Sequence, residues 1–339
     1  MGLLKNGIWQ EDTPGFFSTS SYMKHHGIPS TPINNWVTKD GSAGPTGNSG
    51  FKAESGRYHL YYSPGCPFAH RASIILKLKK LESHISSSIC SPYMYGKDGW
   101  HFNKNDSSTG DHLFGFSHLH MVYSKGIPDY NGEVSVPLLW DKQNNVPVSK
   151  ESSDIFKMLN SAFDDITGNR HDFVNVAAEE DQKEDLDSVL SWVLNDFAFG
   201  VYKIGLLAKT DEDYQKAYHR FFEQLDKLEE KLENRSKIEN NQNKFLFGPK
   251  SRTIPTIADI YLFVVLIRFD VAWYFLYKAN FKRVQDYKYI FEWLKNVYNF
   301  GGVKETVDFE AIKNLYYRNV LLNPSERVPL GPELPCLDL

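Results

Sequence analysis

Ser63-Pro64-Gly65-Cys66-Pro67-Phe68-Ala69-His70-Arg71 is the stretch that decides the fold. Before it, Tyr58-His59-Leu60-Tyr61-Tyr62 has the aromatic-rich make-up of a short strand. After it, Phe68, Ala72, Ile75, Leu76 and Leu78 recur at helical spacing and predict a helix over 67–81. Cys66 therefore falls at the point where a strand gives way to a helix. Pro67 suits the first helical position, where a missing N–H costs nothing. The unpaired amides and positive dipole end of such a helix favour a thiolate over a thiol, and the thiolate is the reactive form. His70 and Arg71, one turn on, either add positive charge or pack as ordinary side chains. Ala69 occupies the place where a Cys-x-x-Cys motif needs its second sulfur, so a resolving thiol has to come from outside. A small buried hydrophobe is the competing role for Cys66. The turn residues around it count against that role.

Working outward, residues 84–90 predict a second strand ending at Cys90, which is expected to be buried and inert. Residues 91–132 look like a long loop and contain Gly99-Trp100-His101-Phe102. Val134 to Trp140 is expected to be one strand with Pro137 inside it, a placement that needs a reason. A cis bond at Val136-Pro137 would leave the Val136 backbone open to pair with an incoming peptide. Asp141 to Asn145 predict a hairpin turn, Val146-Pro147-Val148 a returning strand, and Glu151-Ser152-Ser153 a helix start. Amides at that start can bind a carboxylate while Glu151 holds an amino group; simple capping is compatible with both. The order β-α-β, insert, β-β-α is thioredoxin-like.

Beyond about residue 175 the strand signals stop. Helical periodicity covers 179–205, 211–235, 256–276 and 287–298, with a polar loop at 237–244. The expected organisation is an extended arm over 1–56, a thioredoxin-like α/β domain over 57–175, an all-helical domain over 176–322 and a coil tail over 323–339.

The 339 residues suffice for two domains. A net charge of −4, from 38 basic and 42 acidic residues, gives no reason to expect nucleic acid or an anionic membrane as partner. Three cysteines, Cys66, Cys90 and Cys336, do not make a secreted disulfide framework. No apolar run of membrane-spanning length and no signal-peptide core is found, so a reduced, cytoplasmic protein is expected. No spaced His/Cys/Asp cluster suggests a metal. The 49 aromatic residues supply large cores or a pocket for a flat substrate.

In this order, Cys66, Val136-Pro137 and Glu151-Ser152 resemble the cysteine-type glutathione transferases. Asn35-Trp36-Val37, Asp40-Gly41-Ser42-Ala43-Gly44-Pro45-Thr46-Gly47 and residues 50–61 are similar to the Xi class, the glutathionyl-hydroquinone reductases. So are Gly99-Trp100-His101-Phe102, Gly200-Val201-Tyr202-Lys203, Arg268-Phe269-Asp270, Ile312-Lys313 and Tyr316-Tyr317. The resemblance spans roughly residues 30–335. It implies a homodimer built largely through the helical domains, with glutathione as co-substrate and an aromatic or quinone-derived second substrate. Cys66 would be the nucleophile. Trp100, Val136, Pro137, Glu151 and Ser152 would hold glutathione. Tyr202 and Tyr317 would serve the second substrate, with Tyr316 as the less favoured neighbour.

The implied reaction removes glutathione from a glutathionyl-hydroquinone through a Cys66–glutathione disulfide. A general thiol transferase or dehydroascorbate reductase, and a non-catalytic regulatory module of the same fold, remain the alternatives. The chain departs from the family at Pro64-Gly65 and Phe68 (usually Leu-Ala and Trp), at Ala198-Phe199 (usually an Asn pair), and at Val271-Ala272-Trp273-Tyr274 (usually a Val-Tyr pattern). These departures fall mostly on the second-substrate side.

Overall fold

The structure is a computed structural model that describes residues 2–11, 23–24, 27–94, 99–103, 106–176, 185–239, 242–320, 322–333 and 337. Cys336, and the 179–184 part of the helix expected from 179, lie outside the described residues. The chain divides into two compact units, Met1–Arg170 with Arg318–Glu326, and His171–Tyr317 with Arg327–Leu339.

The first unit is built on a four-stranded sheet of order β4-β3-β6-β7, formed by β3 (Tyr58–Tyr62), β4 (Ser86–Ile89), β6 (Leu138–Asp141) and β7 (Val146–Ser149). β4 runs parallel to β3, the crossover being α1 (Pro67–Leu78). β6 is antiparallel to both β3 and β7. Asn145, at φ 55°, sits just before β7 in the expected hairpin. α1 packs against α3 (Ser152–Ser161). α1 is buried almost all round: His70 and Arg71 are packed in, and Lys79 is fully buried in an ion pair with Asp164 at 2.8 Å. Polar groups along β3 are paired as burial demands. The His59 ring lies 2.7 Å from Ser86 Oγ and 2.9 Å from Ser88 Oγ, and Tyr61 donates to Asp111 at 2.9 Å.

The arm carries a regular element of its own, since β1 (Gly2–Lys5) and β2 (Ile8–Gln10) form a hairpin, and two expectations further on need correction. Its turn is Asn6-Gly7, both at positive φ, the pair that a tight two-residue hairpin favours. The expected strand over 134–140 is two strands: β5 (Gly132–Val134) pairs with β1 in a separate sheet, and β6 begins only at Leu138. Pro137 has no N–H for a ladder, so it stands between them. The long loop over 91–132 contains α2 (Leu119–Gly126), with Leu119, Val122 and Tyr123 buried at helical spacing.

The rest of the arm is tied to the sheet by Arg57. Its guanidinium donates to Asp141 at 3.0 and 2.6 Å, to the Gly50 carbonyl at 2.7 Å and to Glu54 at 3.1 Å. Asn34 bridges to Ser149, bringing the arm alongside β7.

The second unit is helical. α4 (Leu186–Trp192) runs on through a π-helical stretch (Val193–Ala198), a short α-helical piece (Phe199–Tyr202) and a second π stretch (Lys203–Leu207). α5 (Asp211–Ser236) buries Phe221, Phe222, Leu225, Leu228 and Leu232 along one face. α6 (Ile257–Arg268) is buried throughout, opens with a Thr256/Asp259 capping box and continues through a π stretch, Phe269–Trp273. α7 (Lys288–Tyr298) is capped by the Glu229 carboxylate, which accepts from the Tyr289 and Ile290 amides. α8 (Phe309–Tyr317), not expected from the sequence, carries Tyr316 and Tyr317. Among the described residues no helix is long and apolar enough to cross a membrane.

Candidate active site

Cys66 is the N-cap of α1, with extended backbone (φ −78°, ψ 121°) and Pro67 at the first helical position. Its N–H donates to the Ser63 carbonyl at 3.1 Å and its carbonyl accepts from the His70 amide at 2.9 Å. This closes the turn and aims the first-turn amides of α1 at the residue before the helix. Cys66 and Cys90 are both thiols. Cys66 is only 4% exposed, and the whole Ser63–Pro67 turn is buried. The sulfur expected to be reachable is therefore not at an open surface. Cys90 is fully buried, as expected, and burial pushes its thiol well up, out of the reactive range.

The expected glutathione-holding residues all belong to the first unit. Trp100 is buried, and its carbonyl accepts from the Leu119 amide at 2.9 Å, so the start of α2 holds it. Its indole Nε1 is buried and has no hydrogen-bond partner among the described residues. Such an orphan donor is costly unless a ligand meets it. The Val136–Pro137 peptide bond is cis, and Val136 is buried just before β6. Among the described residues no partner takes the Val136 backbone amide or carbonyl. Glu151 is the N-cap of α3; its carboxylate is exposed, and its own N–H donates to Ser149 Oγ at 3.1 Å. The amides of Ser152 and Ser153 open the helix with no turn behind them, a geometry that suits a carboxylate. The structure thus provides an orphan donor, an unpaired strand-like edge, a helix N-terminus and an acidic side chain. Those are the groups needed to hold a short peptide by its backbone, a carboxylate and an amine.

Tyr202, Tyr316 and Tyr317 belong to the second unit, where they differ sharply in their partners. The Tyr202 and Tyr316 hydroxyls are 3.1 Å apart and hydrogen-bond each other. The Tyr317 hydroxyl donates to the Ala272 carbonyl at 3.1 Å, and burial pushes its pKa up to about 12. Sequence reasoning did not pick out Trp273 and Tyr277 as site residues. The Trp273 ring lies 5.7 Å from Tyr202 and 5.3 Å from Tyr316, and it stacks on Tyr277 at 6.2 Å. The departure at Val271-Ala272-Trp273-Tyr274 was the available signal. Tyr202 and Trp273 both sit in or beside π-helical stretches, a feature often found at functional positions. Among the described residues no group of three or more His, Cys, Asp or Glu could hold a metal ion.

The family pattern described as the N-terminal domain of glutathione S-transferase matches residues 65–162, and that of its C-terminal domain matches residues 211–296. The chain is 36% identical over 334 residues to the glutathionyl-hydroquinone reductase YqjG of Escherichia coli, covering 98% of this chain and 95% of that protein. The glutathione-bound structure of the same relative, described as a glutathione transferase homolog, superposes with a TM-score of 0.83 at 35% identity, covering 100% of this chain and 97% of that one. The Xi-class glutathione transferase of Natrialba magadii superposes with a TM-score of 0.82 at 30% identity, covering 99% and 94%.

Proposed function

The chain belongs to the glutathione transferase family, in its Xi class of glutathionyl-hydroquinone reductases, and from that premise we propose that it strips glutathione from glutathionyl-hydroquinones with Cys66 as nucleophile. The observation that carries this reading is the place of Cys66 as the N-cap of α1, with Pro67 next to it.

In the first step the Cys66 thiolate attacks the glutathione sulfur of the conjugate. An S–S bond forms and the carbon–sulfur bond breaks. The electron pair stays on the ring carbon, which takes a proton and leaves as free hydroquinone. In the second step the thiolate of another glutathione attacks the mixed disulfide, giving oxidised glutathione and the Cys66 thiolate. One conjugate and one glutathione thus yield one hydroquinone and one glutathione disulfide. Glu151, the amides of Ser152 and Ser153, the Val136 backbone and the Trp100 indole hold the tripeptide. Tyr202, Tyr316 and Tyr317 are the candidate donors of the proton to the leaving carbon. The enzyme acts as a homodimer in a reduced, cytoplasmic setting and needs no metal.

The altered residues on the second-substrate side, Ala198-Phe199 and Trp273, favour general thiol transfer as the second reading. One experiment separates the two. The purified protein is given glutathione with a glutathionyl-hydroquinone, and separately with dehydroascorbate or a mixed disulfide. Hydroquinone release together with a glutathione adduct on Cys66 by mass spectrometry supports the first reading. Turnover of only the other substrates supports the second. Turnover that survives Cys66→Ser refutes both.

A further inference from the structure

The β1–β2 hairpin lies outside both matched regions and takes no part in the reaction above, yet it touches the segments assigned to glutathione. The outer edge of the Trp9 indole, on β2, lies against two glycines. A Cβ on Gly99 would stand 2.7 Å from its Cη2, and a Cβ on Gly2 would collide with the same atom. Gly99, at φ +59°, directly precedes Trp100. On the α2 side, Trp9 stacks on His120 with ring centroids 4.6 Å apart and planes 16° apart. His120 adjoins Leu119, whose amide holds the Trp100 carbonyl. Trp9 is thus wedged between the backbone just before Trp100 and the helix that fixes Trp100.

The hairpin is itself anchored. Ser124 Oγ donates to the Gly7 carbonyl at 3.0 Å, and the Gly7 amide donates to the Tyr130 carbonyl at 3.0 Å. On its other edge β1 pairs with β5, Gly2 opposite Val134, two residues before Val136-Pro137. One small element therefore braces both the Trp100 loop and the approach to the Val136 edge. The buried, unpartnered Trp100 Nε1 gives that bracing a purpose, since an orphan donor serves a ligand only if its direction is held.

We infer that Trp9 is a positioning residue for glutathione, holding Gly99-Trp100 so that the Trp100 indole meets the tripeptide. This inference rests on the proposed function above. Packing of one aromatic pair corresponds to an effect of about tenfold. In Trp9→Ala the KM for glutathione and its calorimetric Kd are expected to rise by about that factor, while kcat at saturating glutathione stays within about twofold. Trp9→Phe, which keeps a ring beside His120 but lacks the outer indole atoms that meet Gly99, is expected to recover only part of the loss. His120→Ala, which removes the ring behind Trp9, is expected to raise the KM in the same direction and by less; it decides the matter if Trp9→Ala does not fold.

An unchanged glutathione KM and Kd in folded Trp9→Ala overturns the inference. So does a fall in kcat and melting temperature with KM unchanged, which marks a purely structural role. If the wild-type protein binds glutathione by calorimetry but turns over no conjugate, the proposed reaction fails, and the Kd comparison still judges Trp9.

Discussion

Of the three tyrosines that could protonate the leaving hydroquinone, the structure separates Tyr317 from the other two. Its hydroxyl proton is already donated to the Ala272 carbonyl at 3.1 Å, and burial raises the group from 10.0 to about 12. That rise makes its proton harder to release by roughly 3 kcal/mol, or about a hundredfold in acidity. Tyr202 and Tyr316 share one hydrogen bond at 3.1 Å, so whichever gives up its proton leaves an anion that the other hydroxyl stabilises. A positioned general acid is worth roughly 10²–10⁴ in rate. Tyr202→Phe is therefore expected to lower kcat for a glutathionyl-hydroquinone by about a hundredfold or more. Tyr317→Phe, which loses a buried bond of roughly 1 kcal/mol and leaves one carbonyl unmet, is expected to stay within about tenfold. Tyr316→Phe falls between, because Tyr202 keeps its proton but loses its partner. The assay is hydroquinone release at saturating glutathione, with single-turnover formation of the Cys66 adduct measured alongside to separate the first step from the second. A loss in Tyr317→Phe equal to or larger than that in Tyr202→Phe refutes the reasoning.

Arg57→Ala leaves the fully buried Asp141 carboxylate without its cation, although Gln143 and Asn144 still donate to it. A loss of roughly 3–5 kcal/mol in denaturant unfolding is expected, and adding Asp141→Asn should recover part of it; no recovery would show that the charge is not the cause. His59 is buried with its pKa pushed down to about 3, chiefly by desolvation, so the unfolded chain binds a proton the folded one refuses as pH falls from 6.5 toward 3. Its stabilising contribution is complete above pH 6.5 and should be smaller by about 2 kcal/mol at pH 5; His59→Gln should flatten the loss of stability between pH 7 and 5, and an unchanged slope would assign it to other groups. Cys90→Ala should leave release of glutathione disulfide within about twofold, because that thiol is buried and pushed up, though its melting temperature should fall. Accumulation of the Cys66–glutathione adduct in that variant would instead make Cys90 a resolving thiol.

Much of this was legible in the residues. Tyr58-His59-Leu60-Tyr61-Tyr62, Pro67 with the apolar run behind it, and Glu151-Ser152 are short-range signals, and they lie in β3, α1 and the cap of α3 as expected. The Asn6-Gly7 turn of the first hairpin was equally local and was passed over because the arm around it is rich in Gly, Ser and Pro. α2 and α8 were passed over because each is a helix of fewer than ten residues, whose stability comes from burying one face rather than from its own periodicity. Val134 to Trp140 reads as one run of strand formers, and only pairing partners distant in sequence divide it between two sheets.

By itself the sequence determined which family the chain joins and which cysteine stands where a strand hands over to a helix, because those depend on neighbours within a few positions. Tertiary structure alone decided that Cys66 is buried, that Tyr202 bonds Tyr316 while Tyr317 is spent on a carbonyl, and that Trp9 rests on Gly99. Exposure, a hydroxyl's partner and a ring's resting place are set by groups 45 to 114 positions away in the chain, and no local pattern encodes them.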